Sequence, residues 1–169
     1  MEPKIIEKDG IILVGMDFCG NPYKEAGGWS HQNEIGRLWQ RYSNYIDKHK
    51  EKVKNKVSDA GYEVWIDDIE KLDEKEKYIF VGEEISKVED VPLGLVVKML
   101  PTCTYAVFTL KGKDITSNWG KMIYEEWLPK SGFAAAYDFL IEYYDPARFK
   151  GMDNEESELD VYLPIKKHL

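Results

Sequence analysis

The octapeptide DFLIEYYD (138–145) decides how the chain is read. β-Branched and aromatic residues dominate it, and DPARF (145–149) follows as a stop, so the stretch predicts a strand. Strand side chains alternate between faces, which sends Phe139, Ile141 and Tyr143 one way and Leu140, Glu142 and Tyr144 the other. With both faces covered, Glu142 is a carboxylate in an apolar layer, a costly placement that asks for a compensating partner.

Working outward, GYEVWIDD (61–68) and YIFVGEEI (78–85) predict a hairpin around the solvated turn EKLDEKEK (70–77). PKIIEKDGIILVGMDF (3–18) reads as a strand interrupted at Asp9-Gly10, and GNPYKEAGGWS (20–30) as a loop. The spacing of Ile35, Leu38, Trp39, Tyr42 and Ile46 predicts an amphipathic helix from Ser30 or His31 to about His49. The same order then recurs. LVVKMLPTCTYAVFTLKG (95–112) is strand with an interrupting Pro101, and ITSNWGKMIYEEWL (115–128) is helix ended by PKSG. DFLIEYYD, an acidic loop and the strand LDVYLPIKK (159–167) complete it.

Residues agree with the recurrence: LWQRY (38–42) matches IYEEW (123–127), and YEVW (62–65) matches IEYY (141–144). The expectation is an α+β fold made of a duplicated βαββ module, about residues 1–90 and 91–169. One antiparallel sheet would carry both helices on one face, with a ligand cleft on the pseudo-twofold axis. In that register Glu63 corresponds to Glu142, and Trp65 to Tyr144. Two placements of Glu63 stay open. It either faces Glu142 across the axis or, after a one-residue slip, faces solvent beside the acidic run that follows it.

Twenty-three Lys and Arg against 31 Asp and Glu give a net charge of −8, which repels a phosphate backbone unless the basic residues are concentrated. The one dense basic run, KHKEKVKNK (48–56), reads as a solvated helix end, so direct nucleic-acid binding is not expected. Cys19 and Cys103 lack CxxC spacing and lie among apolar residues, predicting buried free thiols in a reducing compartment. MEPKIIEKDG is charged from its start and no run reaches membrane-spanning length, so a cytoplasmic chain without membrane contact is expected. His31, His49 and His168 lack metal-ligand spacing, and neither a nucleophile elbow nor a P-loop is present; no metal and no cofactor are expected.

MLPTCTYAVFTLKG (99–112), IYEEWLPKSGF (123–133), IEYYDPARF (141–149) and LDVYLPIK (159–166), in that order, resemble the GyrI-like small-molecule-binding domain. This is also the effector-binding module of AraC-type and MerR-type drug-sensing transcription activators. PKIIEKDGIILVG and the LW-bearing helix fit it in the first half. The resemblance implies a single domain over residues 1–169 with the duplicated fold, leaving no room for a helix-turn-helix. It also implies a lipophilic, often cationic, small-molecule ligand. IEYYD matches the family's F-E-x-Y-D pattern, which implies that Glu142 is the acid on the floor of an aromatic pocket. At Glu63 the chain departs, since family members often carry a small residue there.

The candidate ligand-binding residues are Glu142 and Glu63, with Trp65 and Tyr144 on the face of an acid. Trp39, Tyr42, Tyr124 and Trp127 of the two helices serve either as core or as pocket wall. Tyr105 joins them, its face depending on how Pro101 sets the register. The bland alternative for Glu142 is a surface pair with Lys98 or Lys166. Two functions follow. A stand-alone binder uses one acid and aromatic walls to hold cations. The alternative is a hydrolase of cyclopropane-containing genotoxic compounds, an activity of some stand-alone relatives, with Glu142 and Glu63 as candidate catalytic acids. A gyrase-inhibiting relative keeps a protein partner open as well.

Overall fold

A computed structural model describes residues 1–67 and 73–168, apart from the side chain of Lys50; the expected turn at 70–77 and the end of the strand before it fall partly outside them. The strand expected to break at Asp9-Gly10 is two strands, β1 (Lys4–Lys8) and β2 (Ile11–Gly20). Helix α1 (Glu34–His49) follows, then β3 (Lys56–Ile66) and β4 (Lys77–Ile85). Pro101 divides the next stretch into β5 (Val96–Leu100) and β6 (Cys103–Lys111). A second helical segment, α2, runs as a short α turn (Trp119–Lys121), a π turn (Met122–Trp127) and a 3-10 turn (Leu128–Lys130). The strands β7 (Phe133–Ala135), β8 (Phe139–Tyr144) and β9 (Glu158–Lys167) complete the described chain.

The described strands form one antiparallel sheet in the order β1-β6-β9-β8-β3-β4-β2-β5, with β7 added on β9. That order maps onto itself when β1 is exchanged with β5, β2 with β6, β3 with β8, and β4 with β9. The register follows: Glu63 on β3 faces Val81 on β4, as Glu142 on β8 faces Val161 on β9. The leading strands are crossed over, β1 pairing with β6 and β5 with β2. β1 is therefore an edge strand that passes through Asp9 and Gly10 alone into β2, near the opposite edge. Three Cα steps reach about 11 Å at most, so the sheet must curl until its two edges meet. At the corner the Gly10 N–H donates to Thr102 Oγ1 at 3.0 Å. A Cβ on Gly10 would stand 3.1 Å from the Leu100 carbonyl oxygen, so the two connectors close backbone against backbone.

Inside the curl, Leu13, Tyr62, Val64, Phe80, Tyr105 and Ile141 form one buried cluster that draws in Ile6 of β1 and Leu100 of β5. The other face carries both helices. α1 sets Leu38 and Tyr42 on Val14, Ile79 and Val81. α2 sets Ile123 on Phe108, Leu110, Leu159 and Val161. Each such fully buried side chain contributes about 1.5–3 kcal/mol of transfer free energy.

α1 begins at Glu34 rather than at Ser30 or His31 because Asn33 is its cap: Asn33 Oδ1 accepts from the Gly36 N–H at 2.9 Å. Asn33 Nδ2 donates to the Gly28 carbonyl at 2.7 Å, tying the preceding loop to the helix start. α2 is not the regular helix expected over 115–128. A π turn advances fewer degrees per residue than an α turn, so Trp127 lands at a different angle from Tyr42 of α1. The cysteines also differ from expectation. Both are free, but Cys19 is exposed near the end of β2 and Cys103 is half-buried. Among the described residues no helix is long and apolar enough to cross a membrane.

Candidate functional site

β3 and β8 are neighbours at the centre of the sheet, and their register sets Glu63 directly opposite Glu142. Both acids point to the helix-bearing face, and they are 1% and 2% exposed. The solvent-facing alternative for Glu63 is thereby removed. So is the surface pair for Glu142: Lys98 lies over the Tyr78 ring and reaches toward Asp17, and Lys166 is exposed near the end of β9.

Aromatic residues flank the pair on the diagonal. Trp65 stands opposite Leu140, and Tyr144 opposite Gly61. Glu63 accepts from both nearby indoles, from Trp65 Nε1 at 2.9 Å and from Trp39 Nε1 at 2.6 Å. Glu142 Oε2 accepts from the Tyr144 hydroxyl at 2.8 Å. Trp39 descends from α1 edge-on to Tyr144, with ring centroids 5.5 Å apart. Gly61 makes that descent possible, since a Cβ there would lie 2.9 Å from the Trp39 ring.

Burial disfavours both charges. It pushes the Glu63 carboxyl up to about 7, although its two indole donors pull the other way. Glu142 is pushed well above the usual carboxylate range by burial and then by the neighbouring Glu63 charge. An indole N–H only donates, so it favours Glu63 as the ionised member, and that charge holds the proton on Glu142. The two titrate as a pair. Tyr23, held by burial and by both acids, is pushed up to about 12.

Above the acids lies a cavity of about 1010 Å³. Trp39 and Tyr42 of α1 line it, as do Tyr124 and Trp119 of α2. Two further walls come from segments that the sequence presents only as loops. Tyr23 and Trp29 come from the loop before α1, and Tyr23 stacks on Trp65 with centroids 6.4 Å apart. Phe149 and Met152 come from the acidic loop after β8, with Phe149 edge-on to Tyr144 at 4.9 Å. These loops lack periodicity, and the aromatics within them are the one signal that marked them.

Two expected pocket residues lie elsewhere. Tyr105 is fully buried on the inner face of the curl, edge-on to Phe139 and Tyr162, because it stands opposite Ile6 in a register that Pro101 leaves unshifted. Trp127 is turned by the π segment into the core, edge-on to Phe108 and stacked on Phe133. Among the described residues no group of three or more His, Cys, Asp or Glu could hold a metal ion.

Residues 4–165 match the family model of Cass2, the integron-associated effector binding protein. The chain belongs to this family of effector-binding domains. It is 29% identical over 167 residues to the transcriptional regulator BrlR of Pseudomonas aeruginosa, covering 98% of this chain and 56% of the regulator. The chain thus spans about half the length of that curated relative. SAV2435 bound to tetraphenylphosphonium shares the fold at a TM-score of 0.68 and 16% identity, over 98% of this chain and 94% of its own. A hydrolase from Listeria innocua shares it at 0.52 and 13% identity, over 98% and 92%.

Proposed function

We propose that this effector-binding domain takes up aromatic, lipophilic cations in the cleft over Glu63 and Glu142. The observation that carries the reading is a pair of buried carboxylates, opposite each other, beneath aromatic walls. A cation arriving there restores the charge partner that burial removed, and each ring it faces adds about 0.5–2 kcal/mol. Flat rings accept many shapes, so selection rests on charge more than on outline. The relative bound to tetraphenylphosphonium supports this class of ligand. The palindromic strand order supports one domain made of two βαββ repeats, about residues 1–90 and 91–169. The net charge of −8 supports a domain that does not itself hold nucleic acid.

Tryptophan fluorescence tests it. Tetraphenylphosphonium is expected to quench the wild type with micromolar affinity, about −8 kcal/mol. The double variant Glu63→Gln, Glu142→Gln, which leaves no carboxylate under the cleft, should weaken the phosphonium much more than neutral triphenylphosphine oxide. Equal weakening of both would show that charge is not what the cleft selects.

A second reading is supported by the unequal acids. With Glu63 ionised and Glu142 protonated, the pair has the parts to open a cyclopropane ring by water. Glu63 would take a proton from water as its oxygen bonds a ring carbon. The carbon–carbon bond breaks, and Glu142 protonates the released carbon. Disappearance of a cyclopropane-containing substrate, abolished in Glu63→Gln and in Glu142→Gln, is the expected result. Binding without consumption would leave the binder alone standing.

A further inference from the structure

Among the aromatic pairs above the acids, one is near-parallel. Tyr23 faces Trp65 with the rings 25° from parallel and their centroids 6.4 Å apart. Tyr144, the counterpart of Trp65 in the second half, is met edge-on by both Trp39 and Phe149, at 74° and 89°. The two members of the parallel pair are held differently. Trp65 is fixed: it stands on a central strand, and its Nε1 donates to Glu63 at 2.9 Å. Tyr23 is 45% exposed. The described donors to the acids are the two indoles and the Tyr144 hydroxyl, so the Tyr23 hydroxyl pins its ring to neither. Its backbone is anchored just before the ring, where the carbonyl of buried Pro22 accepts from the Glu34 N–H at 3.1 Å. Past the ring, the loop meets α1 through the solvent-screened Glu25–Arg37 pair and the Gly28–Asn33 bond. A Cβ added at Gly27 or Gly28 would meet nothing within 4 Å, so the tip stands in open space. This arm belongs to one half alone: residues 21–33 join β2 to α1, whereas the shorter stretch 112–118 joins β6 to α2.

We propose that Tyr23 is the movable plate of an aromatic clamp: it swings off Trp65 to admit the flat ring of a fused-ring cation and closes on that ring's outer face. The proposal rests on the cleft being the ligand site and adds to it a specificity-determining residue, with a preference for planar over globular cations. A flat ring in contact on both faces needs its plates about 7–8 Å apart, twice the carbon contact distance, so Tyr23 has to back off by a few ångströms. Its half-exposed ring can do so without leaving a core. A flat cation on Trp65 lies beside the carboxylate to which Trp65 is itself bonded, so its charge is shared between Glu63 and two ring faces. A cation whose rings splay around a tetrahedral centre cannot lay one flat face against each plate.

Proflavine, a flat acridinium, and tetraphenylphosphonium, whose four rings splay around phosphorus, separate the possibilities in calorimetric titrations of the wild type, Tyr23→Ala and Tyr23→Phe. Tyr23→Ala should cost proflavine about threefold to tenfold more than it costs tetraphenylphosphonium, one aromatic pair's worth. Tyr23→Phe, which keeps the plate, should retain the wild-type ratio of the two affinities. Equal losses for both cations in Tyr23→Ala would make Tyr23 an ordinary wall, and tighter binding of both would make it a ring that merely occupies the ligand's place. Either result, a Tyr23→Phe ratio that falls as far as that of Tyr23→Ala, or a wild type that binds the phosphonium and not proflavine, would overturn the clamp and leave the cationic cleft intact. Failure of the wild type to bind either cation would overturn both.

Discussion

A carboxylic acid that binds its proton more tightly in the fold than in the unfolded chain makes the fold less stable as it ionises. Glu63 is raised from 4.5 to about 7, and Glu142 is raised well above its ordinary value by burial and by Glu63. Their contribution is favourable below about pH 4.5 and is lost as pH climbs through 7, the opposite of a salt-bridged carboxylate. Glu142→Gln removes one titrating member while leaving an acceptor for the Tyr144 hydroxyl. It should therefore stabilise the protein at pH 8, where the buried acid would otherwise have to ionise, and have little effect at pH 4.5. Chemical denaturation of wild type and variant across that range measures the difference. An offset that does not change with pH would mean that the pair is well solvated. At this scale Glu142 was legible in the sequence, because alternation within one strand assigns its face. Glu63 was not settled, because its face depends on the pairing of β3 with β8, a contact between residues far apart in the chain.

Individual elements hold the rings over the acids, and here the sequence was readable where periodicity was strong. α1 shows a clear apolar stripe, and only its start was misplaced, because the Asn33 cap does its work through Gly28 and Gly36 in space. α2 carries the same kind of stripe, but nothing in its residues announces a π turn, so the choice between core and cleft for Trp127 stayed open. β7 is three residues long and is formed by pairing with the end of β9, so local propensity had little to show. Two substitutions test this layer. Gly61→Ala puts a methyl group 2.9 Å from the Trp39 ring, so it should cost about 1–3 kcal/mol of stability and weaken ligand quenching as Trp39 is pushed off Glu63. Unchanged melting and quenching would show that α1 gives way freely. Asn33→Ala removes the cap and the tie to Gly28 and should cost about 1–2 kcal/mol in thermal denaturation. A loss of only a few tenths would mean that the helix start does not depend on that side chain.

Across the whole molecule, the crossed leading strands force the sheet to curl, and the curl divides the apolar residues into two layers. The inner layer closes on itself. The outer layer needs helices to cover it, and the two helices leave the middle of the sheet, where β3 meets β8, open to a cavity. That is why two carboxylates can sit at the centre of a sheet: their face is covered by a cleft and not by a core. The recurrence of strand, helix, strand and strand made this architecture legible in advance. The crossing of β1 and β5 was not, since Asp9-Gly10 and Pro101-Thr102 read equally well as hairpin turns. The account turns on the acids receiving the ligand's charge, and a cation that lands on a partly protonated pair must expel a proton. Calorimetric titration with tetraphenylphosphonium at pH 7, in two buffers of different ionisation enthalpy, counts that proton. The account predicts net release by the wild type and none by the Glu63→Gln, Glu142→Gln double variant, with weaker binding. Wild-type binding without proton release, at an affinity that the double variant retains, would contradict it.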